Sequence, residues 1–226
     1  MKRARYWTRF SPPGDFPRLT ADWHQTPFAA ADCANPNEMA TNLHAINFCI
    51  WHFEDRARRA DLVDVEVVRC KRAIDSLNAK RNAVIEALDD LLLRSVAAKR
   101  RASGSRYQSE TVGMLVDRLS VLSLRIYHTN RIEASQRLQV LEIQQKHLID
   151  SLSHLMREML AGRVRYRVYK QFKVPTSPAN DCRFLVDIDE LADQLVLGTS
   201  REQVSVRTTT EIRREAQQSV FGRTLG

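Results

Sequence analysis

Three runs of this 226-residue chain set carboxylates, imidazoles, amides and guanidinium groups at helical spacing. His44, Asn47, Trp51, Asp55 and Arg58 superimpose on one line of a helix, with His52 and Glu54 flanking it. Lys71, Asp75, Asn78, Asn82, Glu86 and Asp89 align in the same way, beside an apolar stripe rather than opposite it. Glu110, Gly113, Asp117, Ser120 and His128 share a third face. Asn, Asp and His are poor helix formers, so their recurrence in mid-helix asks for a packing or binding reason. Three such faces turned toward one another would make a polar channel suited to a sugar, phosphate or nucleotide-sugar ligand, with Lys71, Arg72, Arg81, Arg118 and Arg125 available to pair with the carboxylates or clamp an anion. For each helix alone, a solvated polar face held by i,i+4 pairs is the plain alternative.

The same groups invite a metal, because helical bundles build such sites from inward carboxylates and histidines. Glu86 and Asp89 form the ExxD step that helps hold magnesium in all-helical nucleoside triphosphate pyrophosphohydrolases. The companion ExxE is missing from the first helix, and the ExxH spacing of di-iron bundles is absent. The leading reading therefore assigns no metal and specifies no cofactor. A metal-assisted hydrolase of a phosphorylated or nucleotide-linked small molecule, with Glu54, Asp55, Glu86 and Asp89 as ligands, is the second. No GxGxxG, GxxxxGK[ST], GxSxG or HExxH occurs, so nucleotide-loop, α/β-hydrolase and zincin chemistries have no support.

Long helices must carry these faces. Leu43, Ile46, Ile50, Phe53 and Ala57 repeat with helical period from Pro36 to about Arg59, with Asn35 or Asn37 as the cap. Cys70, Ile74, Leu77, Val84, Leu88 and Leu91 predict a second helix from Asp64 to about Arg101. After a Ser-Gly-Ser connector, Ser109 is a good N-cap for a third helix running from Glu110 to Ala161, with a bend possible near Thr129 and Asn130. Its distal half carries Leu138, Leu141, Gln145, Leu148, Leu152, Leu155 and Met159 as a heptad seam that wants a partner helix, from this chain or a second copy. The expected fold is all-α: an antiparallel bundle of three long helices with a short basic extended segment and a small C-terminal helix. Residues 1–35 read as an irregular lead-in with one short helix around Trp23 and His24, and 36–162 as the bundle. Residues 163–226 read as a basic arm at 163–173, a short helix near 187–197 and a mobile tail.

With 43% hydrophobic residues and only 7 Gly and 7 Pro, the composition is that of an ordinary globular protein rich in helix. The first twenty residues are basic but hold no apolar core of a secretory signal, and no run approaches the ~18 apolar residues of a membrane span. Cys33, Cys49, Cys70 and Cys182 share no CxxC spacing, which suits isolated thiols and a cytoplasmic location. A net charge of +8 makes an anionic partner plausible, although no aromatic-rich basic sheet signature points to nucleic acid.

The segments NLHAINFCIWHFEDRARR (42–59), VVRCKRAIDSLNAKRNAVIEALDD (67–90) and SETVGMLVDRLSVLSLRIYH (109–128) resemble a bacterial family known as domain of unknown function 4254. The WHxED, KRxIDxxNxxRN and SETxGxxxDRLS…IYH patterns carry the likeness, Trp23 and His24 resemble the family's upstream WH pair, and YKQF at 169–172 its segment after the long helix. The chain departs from the family after Lys173. The resemblance implies association with glycosyltransferases and envelope-polysaccharide assembly. The leading expectation is thus a cytosolic accessory or ligand-binding protein of envelope-glycan biosynthesis, partnered with a glycosyltransferase. His44, Trp51, His52, Glu54, Asp55, Lys71, Asp75, Asn78, Arg81, Asn82, Glu86, Asp117, Arg118 and His128 are its ligand-binding set. A structural dimer through 138–159 is the third reading.

Overall fold

The computed structural model describes residues 10, 15–26, 35–96, 104–130 and 135–170. Five helices dominate: α1 (Phe16–Trp23), α2 (Pro36–Ala57), α3 (Asp64–Val96), α4 (Val112–Asn130) and α5 (Ser135–Leu160). Two two-residue strands, β1 (Arg106–Tyr107) and β2 (Val164–Arg165), complete the described elements.

The starts of α2 and α4 show why the chain turns helical where it does. Asn35 Oδ1 accepts from the backbone N–H groups of Asn37 and Glu38 at 3.0 and 3.1 Å, and Glu38 Oε2 accepts from Asn35 N–H at 3.2 Å. This capping box satisfies donors that no helical carbonyl can reach, with Pro36 already set to a helical φ at the first position. The cap of α4 is Thr111 rather than the expected Ser109: its hydroxyl accepts from Met114 N–H at 3.2 Å. The buried carboxylate of Asp89 adds a bond from Gly113 N–H at 2.7 Å, a negative group at the positive end of the helix.

The apolar stripes of α2 and α3 meet. Leu43, Ile46, Leu77 and Leu88 are each fully buried, and Leu92, Leu115 and Leu119 extend the same core onto α4. Fully burying such a side chain contributes about 2 kcal/mol. The six-residue link at 58–63 folds α3 back against α2, with Arg56 and Glu66 paired across it at 3.2 Å. Asp89 faces Gly113 and Arg81 faces Asp117, so α4 runs opposite to α3. His44 meets Ser120 and His52 meets His128, so α4 runs alongside α2 in the same direction. At Gly113 an added Cβ would sit 2.8 Å from the carbonyl oxygen of Ile85, which is how closely α3 and α4 approach.

The helix expected from 110 to 161 is two helices. Gln145 on α5 donates to Ser123 on α4 at 3.3 Å, so α5 folds back on its predecessor. Leu141, Leu152, Leu155 and Met159 are buried along the seam. Along these residues its partner is α4 and the core of the same chain. Gly162, at φ 73°, ends α5: Gly162 N–H bonds Met159 O at 3.0 Å and Arg163 N–H bonds Glu158 O at 2.9 Å. The chain then runs beside β1 as the parallel strand β2. The described part of the expected basic extended segment, 163–170, starts as the strand β2 and lies against the fold: the guanidinium carbons of Arg165 and Arg167 lie 4.4 and 5.2 Å from the Tyr107 ring centre, and Lys170 pairs with Asp90 at 3.0 Å. The expected helix near 187–197 and the tail lie outside the described residues, as do Cys33 and Cys182. Cys49 and Cys70 are free thiols, and burial pushes Cys49 up to about 12.

Candidate functional site

The polar residues of the three faces separate into a buried network, an aromatic-histidine cluster beside it, and surface pairs. The network begins at α1. Thr20 donates its only hydroxyl proton to Phe16 O at 2.8 Å, so it must accept from His44 Nε2–H at 2.9 Å. That leaves His44 Nδ1 as the acceptor from the Ser120 hydroxyl at 2.9 Å. Ser120 Oγ in turn accepts from Asn47 Nδ2 at 3.0 Å, and Asn47 also donates to Asp117 Oδ1 at 2.9 Å. Arg81 closes the chain on both carboxylate oxygens of Asp117, at 2.7 and 2.5 Å, and reaches Asn78 Oδ1 at 3.5 Å. Burial holds His44 neutral, with its pKa lowered to about 3. Each side chain in this line is bonded to the next, which makes it a structural tie among α1, α2, α3 and α4.

The second group lies at the C-terminal end of α2. Trp51 stacks on His128 at 4.9 Å with the rings 7° apart, and Tyr127 stacks on His24 at 4.4 Å. The His24 and His52 ring centres are 5.0 Å apart, His24 and His128 5.2 Å, and His52 and His128 5.5 Å. Phe48 packs edge-on against both His24 and His52. Burial, then repulsion from the two neighbouring imidazoles, lowers His52 to about 4.

The remaining candidates lie elsewhere. Glu54 and Asp55 pair with Arg58 at 3.2 and 3.3 Å, and Lys71 pairs with Asp75 at 3.3 Å on an exposed stretch of α3. Glu86 faces Lys170 at 3.3 Å, Asn82 is half-buried on α3, and Arg118 is exposed and paired with Glu110 at 2.7 Å. Glu54 and Asp55 thus share Arg58, while Glu86 pairs with Lys170 and Asp89 accepts from Gly113 N–H, so the four carboxylates are split among different partners. Among the described residues, the group of possible metal ligands brought within reach of one another is His24, His52 and His128. Burial raises Asp89 to about 6, against hydrogen bonds from Thr111 and Gly113 that pull it down.

Between α4 and α5 lies an open groove of about 460 Å³, floored by the Arg81–Asp117 pair and lined by Arg118, Arg125, Gln144, His147 and Ser151 with Val121, Leu122 and Leu148. Of the expected set, it takes up Arg81, Asp117 and Arg118. Arg125, a candidate anion clamp from sequence, also lines it, whereas Gln144, His147 and Ser151 escape a reading in which α5 continues α4 rather than packing against it. Thr20 and His24 were missed as site residues because α1 is only eight residues long and carries no sustained apolar period. The WH pair at 23–24 was the available signal.

These features define a helical protein with a hydrogen-bonded polar spine, an imidazole cluster and a basic surface groove. The family described as Protein of unknown function (DUF4254) matches residues 37–168, more than half of the chain, and the protein belongs to that family. No curated protein and no solved structure matches the chain. No described helix is long and apolar enough to cross a membrane.

Proposed function

We propose that the protein is a cytoplasmic accessory or ligand-binding protein of bacterial envelope-glycan assembly that takes a sugar-phosphate-type ligand in the groove between α4 and α5. The observation that carries this reading is the lining. Three guanidinium groups, Arg81, Arg118 and Arg125, converge on one concave surface with the amide of Gln144, the imidazole of His147 and the hydroxyl of Ser151. Guanidinium forks suit phosphate oxygens, the amide and hydroxyl suit sugar hydroxyls, and Leu122 and Leu148 offer an apolar wall. Asp117 fixes Arg81 but also occupies its fork, so the exposed Arg125 is the guanidinium on which the anion site turns. The envelope-glycan setting and a glycosyltransferase partner rest on the family resemblance alone.

The test is a thermal-shift comparison of inorganic phosphate, glucose 1-phosphate and UDP-glucose. A ligand that binds only the folded chain raises the melting temperature, by an amount equivalent to about 2.7 kcal/mol at a hundredfold excess over Kd. The sugar phosphates should stabilise the wild type. Arg125→Ala, which removes an exposed groove residue, should leave the free protein's melting temperature near wild type and abolish the shift. The absence of a shift with all three compounds, or an equal shift in Arg125→Ala, refutes a ligand site in this groove.

A further inference from the structure

We infer that His24, His52 and His128 form a binding site for one first-row transition-metal dication of the zinc type, with coordination positions left open to water or an exogenous oxygen ligand. One ring nitrogen from each residue lies within 4.8 Å of the other two. The three come from the end of α1, the last turns of α2 and the last turn of α4, so a bound ion would tie three elements together.

The hydrogen bonding supports this donor set. His24 Nδ1 lies 2.6 Å from Thr20 O, and a carbonyl only accepts, so Nδ1 carries the proton and Nε2 presents its lone pair. This is the arrangement in which a backbone carbonyl fixes the tautomer and orientation of a ligating histidine. His24 Nε2 and His52 Nε2 are buried and have no hydrogen-bond partner. Two imidazole nitrogens shut away from both water and protein partners lose free energy that a metal–nitrogen bond would recover. The rings of Trp51, Phe48 and Tyr127 pack against the three imidazoles and fix their positions around the shared space.

Geometry and ligand type narrow the ion. Bonds of about 2.0–2.1 Å in a tetrahedral site put ligand nitrogens roughly 3.4 Å apart, so closure needs side-chain rotations of about an ångström. Imidazole donors suit zinc, copper, iron and nickel, whereas magnesium and calcium prefer oxygen. Three histidines without a fourth protein ligand match the open type of zinc site rather than the closed structural type. The site is independent of the α4–α5 groove.

The experiment is a titration of untagged, chelator-stripped full-length protein with Zn2+, and with Co2+ and Cu2+ as spectroscopic probes. Saturation at one equivalent per chain, with quenching of tryptophan fluorescence by Cu2+ because Trp51 stacks directly on His128, is the expected result. His24→Ala, just past the end of a short helix, should weaken binding at least tenfold. His154→Ala, on the exposed side of α5, should leave it unchanged. Magnesium at the same concentrations should give no saturable signal. Absence of saturable binding in the wild type overturns the inference, and so does undiminished stoichiometric binding in His24→Ala. The wild-type titration decides the question even where a His52→Ala chain fails to fold.

Discussion

Acidification from pH 7 to pH 5 should destabilise the fold by an amount that follows from the buried His44 and Asp89 and the half-buried His52. His44 and His52 are held neutral in the folded chain, with pKa values lowered to about 3 and about 4. In the unfolded chain each titrates near 6.5. A depressed pKa means that the unfolded state binds protons first, so stability is full above 6.5 and is lost progressively as pH falls toward 4 and 3. At pH 5 the unfolded imidazoles lie about 1.5 pH units below their midpoint, which at about 1.4 kcal/mol per unit removes about 2 kcal/mol for each residue. Asp89 acts in the opposite sense. Its pKa is raised to about 6, so its contribution is fully present below the unfolded value and is lost as pH rises through 6. Between pH 7 and pH 5 it returns about 1 kcal/mol. The net loss is about 2 to 3 kcal/mol, a large share of the roughly 5 to 15 kcal/mol that holds a domain folded. Urea denaturation at the two pH values reads this directly, and imidazole proton shifts report His44 and His52 separately. Equal or greater stability at pH 5, or a His44 resonance that titrates near 6.5, would refute the assignment of His44 to a closed, neutral network.

Two further predictions separate structural from surface polar residues. Asp117→Ala leaves the half-buried Arg81 guanidinium without its carboxylate and one of the two Asn47 amide N–H groups without its acceptor, and should cost about 3 to 5 kcal/mol in denaturant unfolding. Asp55→Ala removes only a solvent-facing partner of Arg58 and should stay within about 0.5 kcal/mol. Gly113→Ala drives a methyl group to 2.8 Å from Ile85 O, a backbone atom that cannot rotate away, and should destabilise by about 1 to 3 kcal/mol in the same assay.

The helices that periodicity made legible are those whose stripes are long and whose ends are capped. The stripes at Leu43, Ile46 and Phe53 and at Ile74, Leu77 and Leu88 are the residues that meet in the core, and Asn35 caps α2 as its side-chain chemistry demands. Between 110 and 161 the pattern misled on connectivity. No proline interrupts the run, and a break in a helix need not leave a gap in hydrophobic period when both halves bury the same kind of face. The heptad-like spacing from Leu138 to Met159 correctly marked a helix in need of a partner, but period cannot say whether that partner is an earlier segment of the same chain.

The polar faces divide for a related reason. Alignment on a helical line fixes direction only while the helix is covered by neighbours. On α2, His44 and Asn47 lie where α1 and α4 close over the helix, so both are buried and must find partners. Asp55 and Arg58 continue the same line, but they sit at the helix end, and each remains with the other in solvent. On α3 the split is similar: Arg81 reaches inward to Asp117, whereas Lys71 and Asp75 lie on an exposed stretch of α3. His24 shows the converse failure. It has no periodic stripe to announce it, yet the tight turn after α1 puts its ring between His52 and His128. The imidazole cluster therefore depends on a segment of eight helical residues that periodicity could not place. Loss of α1 packing at Phe16 and Thr20 should dismantle both the His44 network and the histidine cluster together.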